Sequence, residues 1–339
     1  MDKTDTILVT GATGLVGTHV MLQLLMQGYH VCALKREKSD CSIVKDIFDY
    51  YDQSSLFEKI EWRTADVTDI FSLRSAFDNI TAVCNAAAMV SFDKKEHKQM
   101  WQVNVEGTAN IVDVALEVGV KTFCHVSSIG AIGHTTDGSS IDEKTPFQPD
   151  EKRSIYSKSK FFQEMEIWEG IENGLNAIIV NPGVIIGPCT PTRSSGLIAS
   201  TMQKGTSFFT NGSTGYVDVR DVATAIVGLM QKEKYGERYI LVGENSTVRN
   251  VQNIFADYFG HNRPRYCASK KLLSIVAILC SIISAISGKK NTLTLETVKT
   301  MGGMHTYNSK KIEDAIGLKF QTLEQSIANA ASFFKQKNI

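Results

Sequence analysis

The chain of 339 residues is long enough for one large α/β domain with a smaller attached region. Its 36 lysines and arginines balance 36 acids, which leaves no electrostatic footprint for a nucleic-acid partner, and 43% hydrophobic with 21% charged residues is ordinary for a globular protein. The polar Met1–Thr6 start has no likeness to a signal or transit peptide, and seven scattered cysteines without a CxxC pair suit a reducing, cytoplasmic setting.

Taken in chain order, Thr6–Thr10 is a short apolar strand, followed by glycines and a helix over Leu15–Gln27 that Gly28 ends. Tyr29–Leu34, Glu61–Ala65, Ala82–Asn85, Thr122–Val126 and Ala177–Val180 read as further strands. Helices lie between them, notably Gln99–Val118 and Tyr156–Asn173. Alternating units of this length predict an α/β fold with a doubly wound parallel sheet, whose ligands bind at the carboxyl ends of the strands. After Ile186 the alternation breaks, returning at Tyr216–Met230 and Arg238–Val242.

Leu272–Gly288 is a run of 17 uncharged residues between Lys270-Lys271 and Lys289-Lys290. A helix there spans about 25 Å, short for a bilayer. Small residues recur at Ser274, Ala277, Ser281, Ser284 and Gly288. A helix packed into the carboxy-terminal region is favoured. A peripheral (monotopic) membrane contact, or the wall of an apolar substrate pocket, comes second and a true span last.

Directly after the first strand stands Thr10-Gly11-Ala12-Thr13-Gly14-Leu15-Val16-Gly17. A tight turn needs positive φ, close approach to a pyrophosphate excludes a Cβ, and the third glycine lets helix pack on strand. The helix then offers free N–H groups and its positive end to phosphates. With a strand before it and an apolar helix after it, this turn predicts dinucleotide binding. The expected division is a Rossmann domain over 1–186, rejoined by 216–243, and a discontinuous substrate region from 187–215 and 244–339.

The spacing GxxGxxG in TGATGLVG resembles the extended short-chain dehydrogenase/reductases, the NAD-dependent epimerase/dehydratase family, and the likeness recurs in order along most of the chain. It implies a nicotinamide dinucleotide held by Gly11, Thr13, Gly14, Leu15, Val16 and Gly17. At the end of the second strand, where an NAD enzyme usually places an acid, stand Lys35 and Arg36. Two cations suit a 2′-phosphate, so NADP is expected, with NAD the alternative and two solvated loop charges beside Glu37 the plainer reading. Asp66 and Val67 resemble the family's adenine-contacting pair, and Ala86, Ala87 and Ala88 its small-residue turn. Asn104 resembles a position beside the cofactor, although a buried asparagine capping local backbone reads nearly as well. Pro182, Gly183 and Val184 resemble the turn under the nicotinamide. Arg220 and Asp221, in a later family signature, read as structural.

Hydride transfer at a carbinol carbon needs a proton partner for the oxygen and a donor to hold it. A tyrosine serves if its pKa falls, which a neighbouring lysine ammonium and the cationic nicotinamide ring both favour, and Tyr and Lys four apart share one helix face. Three such pairs occur: Tyr156/Lys160, Tyr266/Lys270 and Tyr307/Lys311. Only Tyr156/Lys160 lies between the fifth and sixth strands, beside the expected cofactor, so the others are decoys. Aligned on the following Gly133, Ser128 takes the family's catalytic hydroxyl place, and Ser127 is left as a cofactor-side or structural hydroxyl. His125, on a strand, reads as a satisfied core residue, and Phe92-Asp93-Lys94-Lys95-Glu96 more as a solvated charge run than as a substrate border. No histidine has a partner at ligand spacing, so no metal is expected.

The family runs several reactions, so the site must choose. Ile129-Gly130 stands where 4,6-dehydratases carry an acid pair, and Ile132 where epimerases commonly carry an aromatic. SSIGAIG and the tail TYNSKKIEDAIGLKF resemble the dihydroflavonol-4-reductase-like and 3β-hydroxysteroid dehydrogenase branch. The first expectation is an NADP(H)-dependent enzyme interconverting an apolar ketone and a secondary alcohol. A nucleotide-sugar epimerase with retained cofactor is the alternative, and a non-catalytic dinucleotide sensor a third. The resemblance also implies a homodimer through helices 99–118 and 156–173.

Overall fold

The computed structural model describes residues 1–337 apart from 136, 149–152, 193–194, 288–293 and 301. Gly288, Lys289 and Lys290, which close the apolar run, therefore lie outside the described residues. The first quarter of the chain alternates strands with one or two helices: β1 (Thr6–Thr10), α1 (Leu15–Met26), β2 (His30–Lys35), α2 (Ser42–Tyr50), α3 (Ser54–Phe57), β3 (Glu61–Thr64), α4 (Ile70–Ala76) and β4 (Ala82–Asn85). There follow α5 (His97–Trp101), α6 (Gly107–Glu117), β5 (Thr122–Val126), α7 (Ile155–Glu172), β6 (Ala177–Pro182) and β7 (Val184–Ile186). Beyond them come α8 (Ser195–Gln203), β8 (Phe208–Phe209), β9 (Ser213–Asp218), α9 (Val219–Gln231), β10 (Glu237–Leu241) and β11 (Glu244–Thr247). The tail holds α10 (Val248–Phe259), β12 (Tyr266–Cys267), α11 (Lys270–Ser287), α12 (Leu295–Thr300), α13 (Lys310–Ile316) and α14 (Leu323–Gln336).

Among the described residues seven parallel strands form the large sheet, in the order β10-β6-β5-β4-β1-β2-β3. This is the doubly wound α/β arrangement expected from the alternation. The order reverses between β1 and β4, and such a switch point opens a crevice at the strands' carboxyl ends. On β1, Ile7 and Val9 face a core with α1 and α9, while Leu8 faces the other core with α4, α6 and α7. The period of two thus buries both faces, and each fully buried aliphatic contributes roughly 1.5–3 kcal/mol. Strands β11-β9-β7 form a small second sheet, and α8, α10 and α14 share a third core with it.

Two expectations change. The helix over 99–118 is broken into α5, a π-helical turn at Gln102–Glu106, and α6. Asn104 sits in that turn, fully buried, and a Cβ at Gly107 would stand 2.7 Å from Val67 Cγ2, so helix and loop meet without room for a regular path. The apolar run forms α11, as expected, but over its first turns it is packed on one side only: Ala277 is buried while Leu272, Ile275, Val276 and Ile278 are exposed. Among the described residues no helix is long and apolar enough to cross a membrane.

Candidate active site

The glycine turn connects β1 to α1 across the switch point. Gly11 has φ of 61°, and a Cβ on it would lie 2.4 Å from Ala86 O; one on Gly17 would lie 2.4 Å from Gly11 O. These two glycines are therefore demanded by backbone packing. Gly14 differs: it is exposed, with Gly11 O at 3.1 Å from an added Cβ as its one close neighbour. It caps α1 without a side chain, and the first turn carries no acid. The N–H groups of Leu15, Val16 and Gly17 have no acceptor among the described residues. Three free donors at an open helix start match a pyrophosphate, so the chain fits a dinucleotide here.

Further along the crevice, Lys35 is half-buried with its ammonium 5.7 Å from the Trp62 ring centroid, and Arg36 is exposed. Asp66 closes a turn, its carboxylate accepting from Thr68 N and Oγ1. Val67 O accepts from Asn110. Ala86 and Ala87 are half-buried and Ala88 exposed beyond β4. Asn104 is not brought to the crevice surface: its amide exchanges bonds with Met89 N at 2.7 Å and Met89 O at 3.0 Å, and reaches Ser159. It shapes the loop after β4, as the plainer reading had it.

Ser128 follows β5, and α7 begins at Ile155 under an N-cap from Ser154 to Ser157 N. That places Tyr156 in the first turn and Lys160 one turn on. The Ser128 hydroxyl accepts Gly130 N–H at 3.0 Å and neighbours the Tyr156 phenol, whose ionised form it favours. A Cβ on Gly130 would be 3.4 Å from Ser128 Oγ and 3.7 Å from Tyr156 Cε1, so the small residue leaves the pair room. Burial pushes the Tyr156 phenol above its ordinary value, with the Ser128 hydroxyl pulling the other way. The chain alone thus holds the phenol protonated, against the expected fall. Lys160 is 1% exposed and donates to Val126 O at 2.9 Å and Gln163 Oε1 at 2.5 Å. Burial brings its ammonium down to about 7, although Glu164 opposes the shift.

Sequence reasoning missed the buried polar layer beneath these groups. Thr10 donates to Asn85 at 2.6 Å and accepts Ala87 N–H, and Asn85 donates to His125 Nδ1 at 3.2 Å. Gln163 passes from Lys160 to Thr108. Glu164, fully buried, accepts from Ser127 and Asn181 and pairs with Arg238 at 3.3 Å. Ser127 therefore commits its proton inward. His125 corrects its expectation: one nitrogen meets Asn85, while Nε2 has no partner among the described residues. The register of β1, β4 and β5 assembles this layer; only Gln163 and Glu164, at i+3 and i+4 from Lys160, had a sequence signal.

The decoys are elsewhere. Tyr266 is exposed on β12, and Tyr307 is buried against Ile141 with Lys311 paired to Glu237. Pro182 ends β6, and Gly183, whose Cβ would lie 2.4 Å from Gly215 O, hands the chain to Val184 in the small sheet. Asp218 caps α9 and holds Arg220 at 2.7 Å, and Asp221 accepts Gln321 N–H, ties within the frame. From the charge run, Phe92 sets its ring 6.0 Å from Tyr156, while Asp93 caps a short 3₁₀ turn.

Comparison with known proteins agrees with this geometry. The family model described as NAD dependent epimerase/dehydratase family matches residues 7–243. Sterol demethylase protein B of Methylococcus capsulatus is 27% identical over 98% of this chain and 99% of its own. A putative dihydroflavonol 4-reductase of Synechocystis sp. is 27% identical over 98% of this chain and 95% of its own. The solved UDP-glucose 4-epimerase of Bifidobacterium longum, in complex with NAD+ and UDP, superposes with a TM-score of 0.78 at 18% identity, over 98% and 99% of the two chains. With most of the sheet and the glycine turn inside the matched span, the chain belongs to the NAD dependent epimerase/dehydratase family and is an NAD(P)-dependent enzyme of the extended short-chain dehydrogenase/reductase type.

Proposed function

We propose that the chain is an NADP(H)-dependent reductase that interconverts an apolar ketone and its secondary alcohol. The observation that carries the reading is the Ser128–Tyr156 hydroxyl pair at the end of β5, backed by the buried Lys160. Leu15, Val16 and Gly17 would hold the pyrophosphate and Lys35 with Arg36 the 2′-phosphate; Asp66, Val67, Ala86–Ala88, Pro182, Gly183 and Val184 would line the rest. A bound nicotinamide dinucleotide supplies or accepts the hydride. Ser128 Oγ donates a hydrogen bond to the substrate oxygen, and Tyr156 Oη gives that oxygen its proton or takes it back. Lys160 Nζ, fixed by Val126 O and Gln163, is the cation behind the phenol.

An apolar substrate is supported by Phe92 at Tyr156 and by the buried Ile129 and Ile132 on the following turn. The names of the relatives, a sterol demethylase protein and a dihydroflavonol reductase, point to ring systems of that kind. Residues 187–215 and 244–339 are the proposed substrate region, and a homodimer through α5–α6 and α7 the proposed assembly. The test is to mix the protein with NADPH and NADH separately, against a panel of cyclic ketones, and follow nicotinamide absorbance. Ketone-dependent oxidation of NADPH, weakened in Lys35→Ala/Arg36→Ala, is expected. Tightly retained dinucleotide with no net oxidation would transfer the site to epimerisation.

A further inference from the structure

We propose that α11 and its basic flanks bind an anionic lipid surface, with the helix lying in the plane of the interface. Four neighbouring aliphatic residues are bare: Leu272 is 46% exposed, Ile275 58%, Val276 37% and Ile278 47%. At 3.6 residues per turn they occupy one arc of about 160°, with Lys271 inside it and the buried Ala277 opposite. Two exposed aromatics, Phe208 and Tyr266, stand in ring contact on β8 and β12 just ahead of the helix. A chain without net charge also concentrates cations here: among the described residues Arg265, Lys270 and Lys271 are exposed, and the sequence from 264 to 303 holds one acid, Glu296.

That acid is turned inward. Glu296 Oε1 accepts Ile155 N–H at 2.5 Å, and Oε2 lies 3.4 Å from His97 Nε2. An aliphatic arc, an aromatic edge and cations of one sign are what an interfacial helix presents to anionic lipid. A second copy of the chain is a poor occupant, because a self-complementary contact would set the same cations against each other. Among the described residues no helix is long and apolar enough to cross a membrane, and two lysines open this one, which suits a helix lying in the interface. Glu296 belongs to α12, which packs on α11 and is fastened through that carboxylate to the start of the helix that bears Tyr156, so the lipid would lie beside the proposed ketone site.

The experiment is flotation of the full chain with phosphatidylcholine vesicles, with and without phosphatidylglycerol. Flotation reads no turnover, so it stands or falls apart from the reductase reading. The chain is expected to float with the anionic vesicles and to be released by salt. Lys270→Glu/Lys271→Glu should weaken partition at least ~5-fold per charge. Ile275→Asp/Ile278→Asp should abolish it, while both variants melt like the parent because every changed side chain is exposed. Absence of flotation on anionic vesicles would overturn the proposal, as would undiminished flotation of the Ile275→Asp/Ile278→Asp variant. A dimer that reverts to monomer in that variant, with no lipid binding, would give the face to a second copy instead.

Discussion

The buried ammonium of Lys160 should make stability rise with pH in a range where most proteins are indifferent, and Lys160→Met should erase that rise. In the unfolded chain the lysine stays protonated up to its ordinary value of 10.5, whereas burial brings the folded value down to about 7. Between those values the unfolded state binds one proton more than the folded one, so the unfolding free energy increases with pH. Below about pH 7 both states are charged and the group adds no slope. Well above it, the slope approaches about 1.4 kcal/mol per pH unit, a gain of about 2 kcal/mol between about pH 6 and about pH 8.5. Lys160→Met also strips Val126 O and Gln163 Oε1 of their donor, but that loss is constant with pH and drops out of the comparison. Urea unfolding of the nucleotide-free, reduced protein and of the variant, at pH values across this window, gives the difference directly. The buried cysteines, whose thiols are pushed up by burial, are shared by both proteins and cancel. Parallel stability curves would refute the reasoning, since they would mean that the ammonium remains charged inside the fold.

Four further outcomes are expected. Tyr156→Phe should lower turnover by roughly 10²–10⁴-fold with dinucleotide affinity intact, as measured by steady-state kinetics and fluorescence titration. Gly11→Ala must fit a Cβ at positive φ and 2.4 Å from Ala86 O, so it should both lose more than about 2 kcal/mol and weaken dinucleotide binding. Gly28→Ala, at φ of 80° but with nothing within 4 Å, should lose only about 1 kcal/mol in the same melts. Arg238→Met should cost about 3 kcal/mol in urea unfolding, because Glu164 is then buried without its cation, and adding Glu164→Gln should recover part of it.

The parts of this fold that were readable in advance are those set by short-range rules. The glycine turn was legible because positive φ and close backbone approach admit few residues, and the doubly wound parallel sheet followed from alternating periods. Tyr156/Lys160 was separable from two chemically identical pairs only by its place between β5 and β6. The π-helical turn at 102–106 was not legible, since no local pattern separates it from the α-helical turns on either side. Nor was the half-bare face of α11, because an apolar run reads alike whether one side or all sides are covered.

The polar layer shows why a motif can be read while its chemistry cannot. Tyr156, Ser128 and Lys160 are chosen by type and spacing, but the proton affinities that decide their work come from what is buried around them. Lys160 is pushed towards neutrality by burial, with Glu164 as the acid opposing the shift and a carbonyl and an amide as its acceptors. That carboxylate is in turn shared by Ser127 and Asn181 and paired with Arg238, from β10 at the far edge of the sheet. The fold brings these residues together from points 17 to 74 positions apart, and no local pattern records it. A chain that kept the serine, tyrosine and lysine but replaced Arg238 would keep the motif, yet hold Glu164 against burial with less help and give Lys160 a different charge at neutral pH. The state of the proton donor is therefore a property of the whole sheet from β4 to β10, and variants at Arg238 should move the pH profile of any turnover without touching the reacting atoms.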